Sequence, residues 1–241
     1  MLEKTRGIFL HAIPYSDNSI IARIYTERFG QQAYLVRGVR SKKSAAPINL
    51  FQPLFLLDLE VYHKNRTGIQ SLKNARLSVP FNQLPFDIGK SAQAIFLAEI
   101  LMKCLREEEG NPELFSFLFH AACLLDLADE GQNNFLISVL FRLTRFLGVA
   151  PQQPPREPYR FFDLISASFK QQEPVHHSFM DVECSAKFAE LFEHDLSGLA
   201  KLSFNNRIRR ELLDSLLEYY KIHLDLSGDF KSLAVLKEVL S

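Results

Sequence analysis

The hydrophobic period of this chain changes once, at Leu84-Pro85-Phe86-Asp87. Before that point apolar residues alternate over short runs; after it they recur every three to four residues. A period of two buries one face of a strand, and a period of 3.6 buries one stripe of a helix. The chain is therefore expected to be α+β, with a β domain over residues 1–80 and a mainly α-helical domain over 81–241. Five runs read as strands: residues 6–13, 18–26, 31–39, 53–63 and 69–79. Pro14-Tyr15-Ser16-Asp17, Glu27-Arg28-Phe29-Gly30 and Lys64-Asn65-Arg66-Thr67-Gly68 supply turn chemistry between them. In the fourth run Leu57, Leu59 and Val61 point one way and Asp58, Glu60 and Tyr62 the other. Five short strands with a longer connection between the third and fourth match an OB-fold, a small Greek-key barrel.

The second part reads as helices over residues 91–108, 112–128, 133–147, 183–194, 206–226 and 229–240. Asn111-Pro112-Glu113 is an N-cap, a first-turn proline and a first-turn acid, and Gly148 ends the third helix. Residues 150–158 hold Pro151, Pro154, Pro155 and Pro158 and form an extended connector. Residues 159–170 suit a small hairpin. Asp126 and Asp129 read as helix-surface carboxylates, and His223 as a hydrogen-bonded structural histidine.

The net charge of zero conceals an asymmetry. Residues 1–80 hold 12 Lys and Arg against 5 Asp and Glu, a net of +7, and the remainder carries −7. Such a split suggests a basic module for a polyanion joined to an acidic module with another task. The densest run is Arg37-Gly38-Val39-Arg40-Ser41-Lys42-Lys43, with no acid in it. By itself such a run is more often a solvated surface loop, since short basic clusters are common; the wider charge pattern shifts that balance. At a strand end, with Gly38 permitting close approach, Arg37, Arg40, Lys42 and Lys43 suit phosphate oxygens. Arg6, Lys64, Arg66, Lys73 and Arg76 are further candidates. Tyr15, Tyr25, Tyr34, Tyr62 and Phe29 are candidates for base stacking, with barrel core as the competing reading. In the helical half, Arg142 and Arg145 lie three apart beside Ser138. They are either anchors for an acidic peptide or part of an ordinary solvated face.

No catalytic constellation is present: no Walker loop, no His-Glu-x-x-His, no Gly-x-Ser-x-Gly. Cys104, Cys123 and Cys184 imply neither a disulfide framework nor, with His176, His177 and His194, a common zinc spacing. We therefore expect a non-enzymatic protein with no cofactor and no metal. With no signal peptide and no membrane-spanning run, it is expected to be cytoplasmic.

Several segments resemble the bacterial recombination mediator family RecO. Thr5-Arg6-Gly7-Ile8-Phe9-Leu10, Tyr15-Ser16-Asp17-Asn18-Ser19-Ile20-Ile21 and Tyr25-Thr26-Glu27-Arg28-Phe29-Gly30 look like its first barrel strands. Val36-Arg37-Gly38-Val39-Arg40 looks like its basic third-strand segment, and Phe51-Gln52-Pro53-Leu54 like the approach to the fourth. Near the end, Arg210-Glu211-Leu212-Leu213 and Tyr219-Tyr220-Lys221-Ile222-His223 are similar to its C-terminal helix. Lys231-Ser232-Leu233-Ala234-Val235-Leu236 is similar to the tail of Bacteroidetes-type members. The resemblance implies an OB-fold followed by a helical domain. It implies binding of single- and double-stranded DNA, annealing of complementary strands, and a nucleoid-associated location. It further implies partnership with RecR and with the acidic tail of single-strand-binding protein, which Arg142 and Arg145 would meet, and through these the loading of RecA. Many members carry a four-cysteine zinc module in the helical half. Here only Cys184 lies near, so a degenerate, metal-free remnant is expected at about residues 150–180. Two readings from other classes stay open: an OB-fold adaptor for an acidic protein surface, and an RNA-binding regulator.

Overall fold

The N-terminal strand, β1 (Leu2–Ser16), carries two pairings. From Leu2 to Ile8 it runs antiparallel to β4 (Leu56–Tyr62), and from Gly7 to Ser16 antiparallel to β2 (Ser19–Thr26). β3 (Gly30–Arg37) pairs with β2. β5 (Gln70–Leu77) closes the sheet, antiparallel to β4 and parallel to β3 at Tyr34 and Leu35. The order β1-β2-β3-β5-β4 is a closed barrel, the OB-fold arrangement read from the sequence. The computed structural model describes residues 1–64, 68–105, 109–128 and 132–239.

β1 is longer than its hydrophobic pattern suggests because two bulges bend it. The register with β2 slips between Phe9 and His11 and again between Pro14 and Ser16. Each slip leaves one extra residue, Leu10 and Tyr15, and tightens the strand's twist. Barrel closure also depends on Gly7. A Cβ there would stand 2.6 Å from Cγ2 of Ile24 and 2.7 Å from Cδ1 of Leu59. Ile24, Tyr34, Val36, Leu57, Leu59 and Val61 fill the interior, while Ile8, on the same face of β1 as Arg6, is buried on the outside of the sheet. The alternation read for β4 holds: its three apolar residues are buried, Asp58 and Glu60 half-buried, Tyr62 exposed.

The barrel belongs to a larger compact unit, residues 1–127 with 230–240. It includes α1 (Ile88–Cys104), α2 (Pro112–Leu127) and α6 (Leu233–Val239). The strands end close to the boundary read at residue 80, yet the unit extends past it because α1 packs against both β1 and α6. Glu99 on α1 caps α6 from outside, accepting from the N–H groups of Lys231 (2.8 Å) and Ser232 (2.9 Å). Asp87 caps α1 through the N–H of Lys90, and Asn111 caps α2 through that of Leu114, as its sequence signature indicates.

Asp126 corrects the sequence reading. It is not a surface carboxylate: it is 3% exposed. Its Oδ1 accepts from the N–H groups of Leu84 (2.7 Å), Gln83 (2.8 Å) and Asn82 (3.1 Å). Beside it Lys90, 1% exposed, donates to the Asp126 carbonyl at 2.8 Å and to Oε1 of Gln83 at 2.5 Å. Burial pushes the Asp126 carboxyl up. The three backbone donors and the Lys90 charge outweigh it and hold the carboxyl below the usual range. This network ties the turn leaving the barrel to the end of α2. Asp129 lies outside the described residues.

The second unit, residues 128–229, is built from α3 (Phe135–Phe146), α4 (Val182–Glu193) and α5 (Asn206–Leu224). It also contains a small sheet of β6 (Phe161–Asp163), β7 (Ser168–Lys170) and β8 (Phe179–Met180). The expected hairpin is β6–β7; β8, two residues long, pairs on the other side of β6. Phe141, Phe162, Phe169, Phe188 and Phe192 interlock here, with centroid separations from 4.6 to 6.2 Å. His223 contacts the Leu164 carbonyl through Nε2 at 2.7 Å and packs on Tyr219, a structural role. Among the described residues no helix is long and apolar enough to cross a membrane.

Candidate nucleic-acid interface

The nine cations singled out in the N-terminal region fall into distinct settings. The first is the barrel tip. Ser16 pairs with Ser19, and Ser19 with Arg37, so the ends of β1, β2 and β3 form one row, spanning about 10 Å at the usual strand spacing. Beyond Arg37 the chain turns at Gly38, whose φ of 69° is left-handed. It is then tied to the β1–β2 hairpin twice. The N–H of Val39 donates to the Asn18 carbonyl at 3.1 Å, and the Arg40 guanidinium donates to the Asp17 carbonyl. Arg37, Arg40, Lys42 and Lys43 are all exposed. Among the described residues no carboxylate stands within ion-pair distance of any of the four.

The second setting is a ladder across β1, β4 and β5. Arg6 faces Asp58, which faces Arg76; Lys4 faces Glu60, which faces Asn74. These residues line a cleft of about 430 Å³ together with Glu27 and Arg28. Here the cations are spoken for. Arg6 pairs with Glu27 at 2.6 Å, and its guanidinium lies over Phe115 and Phe119. Arg76 pairs with Asp58 at 3.1 Å and Lys73 with Glu60 at 3.4 Å. The hydrogen bond to Glu27 raises the Arg6 pKa, and the same bond holds the Glu27 carboxyl below its ordinary value. A phosphate laid across this ladder would meet Asp58, Glu60 and Glu27 as closely as the cations. Lys73 is displaced by a bulge, since Val61 faces Leu72 while Glu60 faces Asn74. Lys64 is exposed beyond the end of β4, with its backbone N–H bonded to Gln70. Arg66 lies outside the described residues. The structure thus gathers four of the nine candidates at the tip and sets Arg6, Lys73 and Arg76 among carboxylates.

The aromatic candidates also divide. Tyr25 and Tyr34 are core, 3% and 0% exposed, and not available to a base. Phe29 stacks on His63, centroids 3.9 Å apart. Tyr62 and Tyr15 are exposed, at 46% and 63%.

In the second unit the reading of one polar face on α3 is corrected. Ser138 is buried, and Arg142 is half-buried and donates to the carbonyls of Leu191 (3.1 Å) and His194, capping the end of α4. Burial lowers the Arg142 pKa despite nearby Asp195. Arg145 is exposed. The two arginines do not share one role.

Comparison with known proteins settles the family. A family model described as recombination protein O N terminal matches residues 1–81, and its C-terminal counterpart matches residues 85–153. The DNA repair protein RecO of Phocaeicola vulgatus is 37% identical over 241 residues, covering 100% of both chains. The chain belongs to the RecO family. The RecO proteins of Bacteroides fragilis, at 37% identity, and Flavobacterium psychrophilum, at 35%, each align over 99% of both chains. Membership places the chain in DNA repair and recombination. The zinc module that the RecO resemblance brings with it does not fit the residues here. Such a module needs four thiolates close together, and the only cysteine between residues 128 and 229 is Cys184, which is buried. Asp163 organises the β6–β7 turn instead, accepting from Ile165 and Ser166 and facing Nε2 of His176 at 3.2 Å.

Proposed function

We propose that this RecO-family chain is a non-catalytic recombination mediator that binds single- and double-stranded DNA through the barrel tip and anneals complementary strands. The observation that carries this reading is the contrast between tip cations with no carboxylate beside them among the described residues and the paired cations on the ladder. Annealing requires neutralising two phosphate backbones while leaving the bases mobile, so flexible, exposed Arg and Lys suffice and no catalytic side chain is needed. In this reading Arg37, Lys42 and Lys43 contact phosphates and Lys64 lies to one side. Arg40 holds the loop against the hairpin. Arg6, Lys73 and Arg76 become available to DNA only if their carboxylates are displaced.

The family reading adds RecR, the acidic tail of single-strand-binding protein and, through them, RecA as partners, in the cytoplasm at the nucleoid. Arg145, exposed on α3, is the residue we retain for the acidic tail; Arg142 supports the fold beneath it. The test is annealing of complementary oligonucleotides coated with single-strand-binding protein, with and without the chain. We expect duplex to form several-fold faster with it. Equal rates would remove the annealing assignment, and failure to bind bare oligonucleotides at 50 mM salt would remove the DNA-binding one.

A further inference from the structure

The geometry points to Tyr15 as the residue that lets the barrel tip favour single-stranded over duplex DNA, by stacking on an unpaired base. This rests on the DNA-binding reading above. Tyr15 is the extra residue of the second β1 bulge, beside the row formed by Ser16, Ser19 and Arg37. Bulges re-aim a side chain, and at this one Tyr15 is 63% exposed. The hairpin that carries it is fixed to the basic loop through Asp17 and Asn18. Ile13, two residues before Tyr15 on β1, is 49% exposed, and Ile48, whose N–H donates to the Val39 carbonyl of the basic loop, is 42% exposed. An exposed aromatic residue and apolar surface beside a basic loop match the chemistry of a single strand, which offers phosphates and base faces together. In a duplex those faces are stacked away, and only the cations find a partner.

The chain has no tryptophan, which provides the readout. Tyr15→Trp introduces a single reporter whose emission a stacked base alters. We expect single-stranded oligonucleotide to quench it and duplex of the same sequence to leave it nearly unchanged. In parallel, Tyr15→Ala is expected to lose roughly five- to a hundred-fold in single-strand affinity, keep its duplex affinity, and keep both salt slopes because no charge is removed. Tyr15→Phe should bind as the parent does. Equal losses on both substrates, or no loss on single strands, would overturn the inference while leaving the tip as the DNA site. A parent protein that binds neither substrate would overturn both.

Discussion

Replacing Arg37, Lys42 and Lys43 together by glutamine is expected to flatten the salt dependence of single-strand binding by about two in logarithmic slope. Each phosphate contact on a single strand contributes roughly 0.7 to that slope. If the two proteins converge near 1 M salt, the loss amounts to roughly fifty-fold in affinity at about 0.15 M. The three side chains are exposed and, among the described residues, carry no ion pair, so their removal should leave the unfolding midpoint unchanged. The matched control is Arg6, Lys73 and Arg76 replaced in the same way. These cations already neutralise Glu27, Glu60 and Asp58, so the slope should change by less than about one. Fluorescence titration of a labelled oligonucleotide at four or five salt concentrations separates the two variants. Equal slope changes would mean that the ladder opens to DNA.

The largest effect on stability is expected at Asp126. Asp126→Ala leaves the N–H groups of Leu84, Gln83 and Asn82 without their acceptor and the buried Lys90 charge without its compensation. The cost should be about 3–5 kcal/mol, a large share of the stability of an ordinary domain. Urea unfolding followed by circular dichroism should show a lower midpoint at unchanged slope. The milder Asp126→Asn keeps the shape and tests the charge. Because the folded carboxyl lies below its ordinary value of 3.8, its contribution is complete above that value and is lost as the pH falls through the folded one. The stability gap between parent and Asp126→Asn should therefore be widest near neutral pH and shrink below about pH 4. A gap that widens on acidification would contradict the network.

What the sequence made legible, and what it hid, follows from the range of each interaction. The alternation of Leu57, Asp58, Leu59, Glu60 and Val61 announces a half-buried strand, and Asn111-Pro112 announces a helix start. Both signals are local. Asp126 was illegible because its partners lie more than forty residues upstream; near the end of a helix, a solvated carboxylate and one held by a distant turn look alike. The pairing of Arg6 with Glu27 and of Arg76 with Asp58 likewise depends on register, which no spacing in one strand reveals. Arg142 and Arg145 share a helix face by count, yet the end of α4 takes the first and leaves the second exposed. The basic loop could be read from its residues alone. That it is the one cluster in the described barrel left without carboxylates could not.

The most direct measurement is lysine modification by an acylating reagent, read by mass spectrometry with and without a saturating single-stranded oligonucleotide. Lys4, its side chain 84% exposed, and Lys73 report the ladder, and Lys42 and Lys43 report the tip. The account predicts that DNA shields Lys42 and Lys43 and leaves Lys4 as reactive as before. Shielding of Lys4 and Lys73 with Lys42 and Lys43 unaffected would contradict it.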